Sequence, residues 1–463
     1  MGNIWTVARQ TIAEGVRMRI ALVFLLLLAV LLMGLPFVSK GDNSVSGAVQ
    51  SFLTYSIISV AFLLSCLSVF LCKSISDDLE GKQILMLMTK PIARWQYVLG
   101  KWTGVMALNT VILILATAAI YGMTRYVASQ PPRDQWDKER LANQILTARH
   151  ANPFIVPDFT RDAEQQFEQN LEQGRYAEVP DLDRQAEIKK IKGRIEQRWR
   201  TVRPLEQRRF DFENVRCDRS PDKKIHIQYE ARVYNYAPDE IIRCSWMAGD
   251  REKGAKSYID YRRDVRDRKQ TVTFPADTVA DDETLTAWFN NVNPYIPMGE
   301  QQYPNTVVFE GKRPVEVLFS VSSFESNLVR AITLVWCRLA FLAAVGVLAT
   351  CIFSFPVACL VSLVVYGMAS SVGFLDEAVQ FMSNDTMLET VFHAVVGNLL
   401  RGVFFMIPDF SKLDGLSVLV DGRNVTLKWV LMGLGQMVLI KTSILLLAAC
   451  LIFGRRQVSE ASV

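Results

Sequence analysis

The stretch IALVFLLLLAVLLMGLPFV, residues 20–38, decides the fold of this 463-residue chain. It contains no charged side chain, and about 20 apolar residues cross about 30 Å of hydrocarbon as a helix. Five further apolar runs follow, at residues 52–72, 97–123, 329–351, 355–375 and 429–453. The sequence therefore predicts an α-helical integral membrane protein with six transmembrane helices, three on each side of a polar interval. Because no small-x-small cleavage site follows the first run, we expect a retained helix there and not a signal peptide.

Basic residues in the short segments predict the orientation of these helices. They precede the first run, crowd the segment between the second and third runs, and follow the last: Arg9, Arg17, Arg19, Lys73, Lys82, Lys90, Arg94, Lys101, Arg455 and Arg456. Positive charge marks cytoplasmic segments, whereas long domains translocate largely regardless of charge. We therefore expect a multi-pass protein of the inner (plasma) membrane, with both termini in the cytoplasm.

Three domains follow from this layout. Residues 1–123 hold an interfacial helix and three spans, residues 124–328 form an extracytoplasmic domain, and residues 329–463 hold three more spans and a cytoplasmic tail. Residues 390–407 are apolar but contain Gly397, Asn398 and Arg401. A seventh span there would place the basic tail outside, so we predict an outer re-entrant segment.

The central domain combines two kinds of sequence pattern. In residues 133–209, the stripe Ile188, Ile191 and Ile195 predicts helices with one narrow packing face. From residue 210, alternating segments such as KIHIQYEARVYN (residues 224–235) predict strands. The sequence therefore predicts an inserted α+β domain, a helical part followed by an antiparallel β-sandwich or jelly roll.

Cysteine, histidine and net charge limit the chemistry. Cys217 and Cys244 lie in the central domain, where an oxidising compartment would allow a disulfide, but the spacing is equally compatible with two free thiols. The three histidines, His150, His226 and His393, are too far apart along the chain to suggest a metal site. A net charge of +4 on this length is not typical of a nucleic-acid binder. We expect no metal and no bound cofactor.

The N-terminal sequence IWTVARQTIAEGVRMRI, residues 4–20, predicts an amphipathic helix in the cytoplasmic interface. Ile4, Ala8, Ile12 and Val16 recur every four residues. The residues expected to carry this role are Trp5 at headgroup level, Arg9, Ile12 and Arg17. The alternative is a polar lead-in to the first span.

The loop after the second span, SISDDLEGKQILMLMTKPIARWQYVLGKWTGV (residues 74–105), predicts a short methionine-bearing helix beneath the membrane. Such a helix is suited to a groove on a cytoplasmic partner, although a charged hairpin that only obeys the positive-inside rule is the alternative. The candidate docking residues are Asp77, Asp78, Glu80, Gly81, Lys82, Leu87, Pro91 and Arg94.

This loop resembles that of ABC-2-type permeases in its order of Glu80-Gly81-Lys82, Lys90-Pro91 and Gly100-Lys101. The Ala8-Arg9 phrase, residues 406–415 and residues 453–456 are also similar to that family, especially to permeases grouped with nitrous-oxide-reductase maturation and gliding-motility export. The resemblance implies that the N-terminal helix and the loop contact a separate ATPase subunit. It further implies a second permease copy or paralogue, and ATP and Mg on the ATPase.

The resemblance covers both membrane blocks and not the central domain. The layout, six spans with a β domain between the third and fourth, is similar to that of lipopolysaccharide-exporting permeases. A lipid, glycan or polymer is therefore the class of substrate we expect, and a periplasmic partner is compatible with this layout.

No phosphate-binding loop is present, because Gly100-Lys101 is followed by Trp102 and has no glycine five positions before Gly100. We therefore expect a transport subunit and not an enzyme. Two charges lie inside spans, Arg338 and Lys441, each costing ~2.5–3.5 kcal/mol at mid-depth. They are candidates for a conduit, or else they snorkel or bond to neighbouring polar groups.

Two other classes of function compete with transport. A membrane enzyme would need a carboxylate site, but Asp376, Glu377, Asp385 and Glu389 lack the spacing of one. A membrane-anchored receptor or scaffold would bind a ligand through its extracytoplasmic β domain. Copurification with an ATPase separates a transporter from a scaffold.

Overall fold

The computed structural model describes residues 2–38, 44–80, 92–176, 183–220, 223–234, 241–294, 296–298, 301–303, 305–311, 313–381 and 407–455. The chain divides into two compact units. The first is Met1–Ala148 with Ser322–Val463, and the second is Arg149–Val321. The borders between the two units thus fall at 148/149 and 321/322. The sequence predicted domain borders at 123/124 and 328/329.

Six helices of the described residues are long and apolar enough to cross a membrane: Ile20–Val38, Val45–Leu79, Arg94–Ala128, Phe324–Ile352, Phe355–Val372 and Leu427–Arg455. The prediction of six membrane helices is confirmed. The fourth helix is the most buried of the six: 72% of its most apolar stretch is buried inside the protein, compared with 17% for the first helix. The first, fifth and sixth therefore present most of their apolar surface outward.

The helices of the first unit, with two of the second, are numbered along the chain. They are α1 Gly2–Arg17, α2 Ile20–Val38, α3 Val45–Leu71, α4 Lys73–Glu80, α5 Arg94–Ala128, α6 Gln135–Arg140, α7 Thr160–Glu172, α8 Arg184–Arg200, α9 Phe324–Ile352, α10 Phe355–Phe381, α11 Gly415–Val420, α12 Leu427–Gly433 and α13 Ser443–Arg455. A π-helical segment, Leu434–Thr442, joins α12 to α13, and another, Leu141–Ile145, follows α6. The predicted outer segment 390–407 lies outside the described residues except for Ile407.

Polar side chains fix the ends and crossings of the membrane helices. Ser44 caps α3 by accepting from the Gly47 amide, and the buried carboxylate of Asp137 in α6 accepts from the Val45 and Ser46 amides at 2.9 Å each. These bonds satisfy N–H groups that a helix start leaves unpaired. Between two of the candidate membrane helices, the Trp336 indole of α9 donates to the Thr110 hydroxyl of α5 at 2.8 Å. The apolar core of this unit lies between α2, α3, α5 and α9.

The second unit contains most of the strands, which are β1 Thr147–Pro153, β2 Thr201–Val202, β3 Gln207–Phe212, β4 Lys224–Tyr234, β5 Ile241–Ala248, β6 Tyr258–Val265, β7 Lys269–Pro275, β8 Leu285–Asn291, β9 Ile296–Met298, β10 Gln301–Tyr303, β11 Thr306–Phe309 and β12 Val315–Ser323. One sheet has the order β1-β12-β4-β11-β2 with β7 also on β4, another β3-β8-β5-β6, and β9 pairs with β10. Residues of the two larger sheets share one aromatic core, including Phe210, Tyr229, Trp246, Phe289 and Phe309. The predicted β-rich region is confirmed.

Two local predictions can be compared with this unit. Ile191 is buried between α7 and α8, with Ile188 and Ile195 packed against the same small cluster, as the stripe predicted. Cys217 and Cys244 are both free cysteines, so the alternative of two free thiols is the one that the structure has. The Cys244 thiol is buried and lies 3.4 Å from the Tyr229 hydroxyl.

Candidate functional site

The N-terminal helix α1 packs tightly on the first turns of α5. Gly100 and Gly104 make this contact possible. A Cβ on Gly100 would lie 2.6 Å from the Val7 Cβ, and one on Gly104 would lie 2.8 Å from the Ala8 carbonyl oxygen. Only glycine fits so close an approach of two helices.

The face of α1 that packs differs from the predicted stripe. Its buried residues are Val7, Ala8, Thr11 and Gly15, whereas Val16 is 54% exposed. Of the predicted interfacial residues, Ile12 is partly buried against the membrane core, and Trp5, Arg9 and Arg17 are exposed. α1 therefore keeps an exposed face of aromatic and basic side chains while its inner face lies on α5.

A buried ion cluster joins α1, α4 and α5. The Lys101 side chain of α5 is 1% exposed, and its Nζ lies 2.7 Å from Asp78 of α4 and 3.0 Å from Glu14 of α1. The Lys101 ammonium also donates to the Ser74 hydroxyl, which in turn donates to Glu14 at 2.5 Å. The Tyr97 hydroxyl donates to Asp78 at 2.7 Å. Three helices that are distant in sequence thus share one hydrogen-bonded set of charges.

The electrostatics of the cluster favour its ionised form. Burial raises the pKa of Glu14, but the Lys101 charge and hydrogen bonds from Ser74, Lys101 and Gln10 outweigh burial and hold that pKa below its usual value. A buried pair loses several kcal/mol of solvation per ion, so its partners must stay together. Separating α1 from α5 would expose or isolate these charges, so the cluster stabilises the packing of α1, α4 and α5 against one another.

Arg94 closes the same end of the unit against the last membrane helix. Its guanidinium donates to the Gly454 carbonyl at 2.6 Å and approaches the Phe453 carbonyl at 3.5 Å, in the last turn of α13. These carbonyls lack partners within the helix, so a cation there caps α13. Tyr97 stacks on Phe453 with ring centroids 5.4 Å apart. The start of α5 therefore carries α1, α4 and the end of α13.

The structure separates the predicted docking residues into two groups. Asp77 is exposed on α4, whereas Asp78 and Arg94 make the internal contacts described above. Glu80 ends α4, and the remaining four, Gly81, Lys82, Leu87 and Pro91, lie outside the described residues. Sequence reasoning did not select Glu14, Ser74 or Tyr97 as site residues. The signal available was a single acidic residue in α1 and a single lysine at the head of an apolar run.

The conduit candidate Arg338 is held by protein groups. Its guanidinium donates to the Phe410 carbonyl at 2.8 Å and the Leu413 carbonyl at 3.1 Å, and pairs with Asp414 at 3.3 Å. It also lies over the Phe410 ring, and the Phe410 amide donates to the Ala369 carbonyl of α10 at 3.0 Å. Arg338 thus fastens the non-helical residues 407–414 to α9, which is the bonded alternative that the sequence left open.

The other conduit candidate, Lys441, has a different setting. It is partly buried in the π-helical segment Leu434–Thr442. The Thr442 hydroxyl donates to the Met437 carbonyl five residues earlier, as the wider π turn allows. Such segments inside helices often occur at functional sites. In the part of the chain that the structure describes, no carboxylate forms an ion pair with the Lys441 side chain.

Comparison with known proteins identifies the segment that carries the ion cluster. Residues 5–146 match the profile of the ABC-2 family transporter protein. Over 129 residues, the chain is 33% identical to the probable ABC transporter permease protein NosY of Pseudomonas aeruginosa. The aligned residues cover 26% of this chain and 44% of that protein. The chain is 32% identical over 125 residues to the probable ABC transporter permease protein NosY of Stutzerimonas stutzeri, with the same shares covered.

The chain thus spans less than half the length of the curated relatives that it matches. The matched segment includes Glu14, Ser74, Asp78, Tyr97 and Lys101, and three of the six membrane helices. The expectation drawn from the docking loop is confirmed at the level of the family. Residues 5–146 are thus similar to ABC-2 family transporter proteins, and both of these relatives are described as probable ABC transporter permeases.

Proposed function

We propose that this chain is the membrane subunit of an ATP-binding cassette exporter whose ATPase is a separate polypeptide. The observation that carries the proposal is the Lys101 cluster, which joins the two elements expected to contact the ATPase, α1 and the segment that begins with α4. An ATPase that moves α1 moves α5 with it, because Lys101 and the Gly100–Gly104 contact hold the two helices together. Since α5 crosses the membrane, a cytoplasmic displacement reaches the outer side through a rigid helix.

The exposed surface around the cluster supports this assignment. The side chains of Trp5, Arg9 and Arg17 are exposed on α1. On α4, the exposed residue is Asp77, which belongs to the predicted docking loop. An aromatic anchor with charged neighbours is typical of a protein interface. ATP and Mg would bind the ATPase, and closure of two ATPase subunits would shift a permease pair between two conformations.

The second permease would be another copy or a paralogue. The first, fifth and sixth spans have outward apolar surfaces that are available for lipid or for that partner. Only 17%, 22% and 28% of their most apolar stretches are buried inside the protein. The positive-inside pattern supports cytoplasmic termini and an extracytoplasmic Arg149–Val321, with its two sheets as a β-sandwich. A lipid, glycan or polymer would be received there, or handed to a periplasmic partner, and Lys441 would line the conduit with Arg338 supporting it.

Copurification tests the proposal. The tagged full chain is extracted in mild detergent, and the eluate is analysed by mass spectrometry and for ATP hydrolysis. We expect a stoichiometric ATPase subunit that is lost or uncoupled in Glu14→Gln, a near-isosteric change, and retained in Glu164→Gln, an exposed position in α7. A chain that elutes alone under several extraction conditions would favour the membrane-anchored receptor instead.

A further inference from the structure

A large cavity lies within the unit Arg149–Val321, away from the ion cluster. Its volume is about 1220 Å³, and it is lined by the C-terminal half of α8, the turn Arg203–Glu206 and the start of β3. Ligand-binding pockets typically measure about 300–1,000 Å³. This cavity is therefore large enough for an organic ligand and much too large for a single free ion.

One wall of the cavity is apolar and held in place. Phe159, Ile195 and Trp199 line it, and the Trp199 ring stacks on Phe154 with centroids 5.5 Å apart and planes 7° apart. The Arg208 guanidinium lies over the same indole, 5.7 Å from its centroid. Because Trp199 is covered by a ring and a cation, the wall is preorganised and does not need a ligand to order it.

The charge of the lining is strongly positive. Four arginines, Arg194, Arg198, Arg203 and Arg208, stand against one carboxylate, Glu206, so the net charge is +3. That carboxylate is already used: it accepts from the Arg203 amide at 2.9 Å and from the Arg208 guanidinium at 3.1 Å. Among the described residues, no carboxylate forms an ion pair with the side chain of Arg198 or Arg203. The cavity therefore offers two guanidinium groups to an anion.

The turn at the mouth of the cavity presents an apolar side chain at a conformational cost. Leu205 has φ of 62° and is 85% exposed. The turn is firmly held, since the Leu205 amide donates to the Asn291 carbonyl at 2.8 Å and the Glu206 amide to the Arg203 carbonyl at 3.0 Å. Strained residues that the surroundings hold in place cluster at ligand sites. Leu205 extends the apolar wall of the cavity at its edge.

We propose that this cavity binds an anionic amphiphile. A phosphate or carboxylate group would lie on Arg198 and Arg203, whose planar guanidinium groups match such anions in a bidentate manner. An aliphatic part would lie on Ile195, Trp199 and Leu205. Charge and apolar wall together favour this class over a neutral glycan, which needs no arginines, and over a bare anion, which needs no apolar wall. The binding step requires neither ATP nor the ATPase.

The test uses the full chain in phosphatidylcholine nanodiscs. Binding of dihexanoyl phosphatidic acid is measured by calorimetry, beside glycerol 3-phosphate, which lacks the tails, and dihexanoyl phosphatidylcholine, which lacks the net charge. We expect the phosphatidic acid to bind most tightly, and to be weakened about tenfold or more in the double variant Arg198→Gln/Arg203→Gln. The control Arg251→Gln/Arg263→Gln removes two exposed charges of the same unit outside the lining, and should bind like the wild type.

A second variant tests the apolar half. Leu205→Ser should weaken the phosphatidic acid and leave glycerol 3-phosphate unchanged, while near-ultraviolet circular dichroism shows that the unit is folded. Equal binding in the arginine double variant and in the wild type would overturn the proposal. So would glycerol 3-phosphate binding as tightly as the amphiphile, or an acidic peptide displacing it at lower concentration, which would mark a protein interface. Each arm can be read whether or not an ATPase copurifies.

Discussion

Lys101 and Asp78 form a buried ion pair, with 2.7 Å between the Lys101 Nζ and the Asp78 carboxylate. The pair connects the first turns of α5 to α4, and Glu14 extends it to α1. A lysine in the first turns of a candidate transmembrane helix thus binds carboxylates of both α4 and α1. The cluster therefore links α1, α4 and α5. Its removal should reduce both the stability of the protein and the coupling of α1 to α5.

The variant Lys101→Met should be strongly destabilised, because Asp78 would remain buried, and Glu14 partly buried, without their cation. Breaking a buried pair on one side costs roughly 3–5 kcal/mol. Thermal unfolding in detergent measures the effect, and Lys190→Met, at an exposed lysine of α8, should melt like the wild type. The triple variant Lys101→Met/Asp78→Asn/Glu14→Gln removes all three charges and should recover much of the loss. A wild-type melting temperature for Lys101→Met would contradict the cluster.

The variant Gly104→Ala should lift α1 from α5, because its Cβ would lie 2.8 Å from the Ala8 carbonyl oxygen and 2.7 Å from the Thr11 Cβ. Overpacking of this kind costs about 1–3 kcal/mol. Gly122→Ala is the matched control in the same helix, since nothing lies within 4 Å of its Cβ. Limited proteolysis of α1 compares the two. Equal cleavage rates would mean that the close contact is absent.

Asp137 should make the N-terminal end of α3 sensitive to acid. Burial raises the pKa of this carboxyl, but hydrogen bonds from Ser46, Val45 and Arg133 lower it from 3.8 to about 2. A lowered pKa gives stability that is complete above the unfolded value and is lost as pH falls. We therefore expect unfolding free energy to decline between about pH 4 and pH 2.

The variant Asp137→Asn should show this directly. It replaces an acceptor of charge-assisted bonds, at a cost of about 1–3 kcal/mol at neutral pH. Its stability should fall less steeply than that of the wild type below pH 4. Asp134→Asn is a useful comparison, because that side chain caps α6 by accepting from the Asp137 amide. Parallel pH profiles for wild type and Asp137→Asn would refute the assignment.

Lys441→Leu tests the conduit. If Lys441 meets cargo in the membrane, the variant should insert and fold, because leucine is cheaper in the bilayer, yet fail to complement a strain that lacks this chain. Lys428→Leu removes an exposed lysine near the start of the same span and should complement. Full complementation by Lys441→Leu would remove it from the conduit.

Short-range pattern was sufficient for much of this protein. Run length identified the membrane helices, alternation identified the β-rich region, and the stripe through Ile191 identified the packed face of α8. Each of these signals is local, because a helix or strand repeats its environment every few residues. The docking loop also indicated the ABC-2 family.

Tertiary structure decided which partners the charged residues have. From sequence, Asp78 and Arg94 were candidate docking residues of a loop, and Arg338 was a candidate for a conduit, for snorkelling or for bonding to neighbouring polar groups. In the fold, Asp78 pairs with Lys101, Arg94 caps α13 and Arg338 binds residues near Asp414. These partners lie 23, about 360 and 76 residues away.

The buried face of α1 was decided in the same way, by Gly100 and Gly104 of another helix. The sequence by itself determined which six helices of the described residues are long and apolar enough to cross a membrane and where the β-rich region lies, because burial of apolar surface depends on composition and period. Only the tertiary structure decided which charges are neutralised inside the protein, because ion pairing depends on distances between segments that no local pattern encodes.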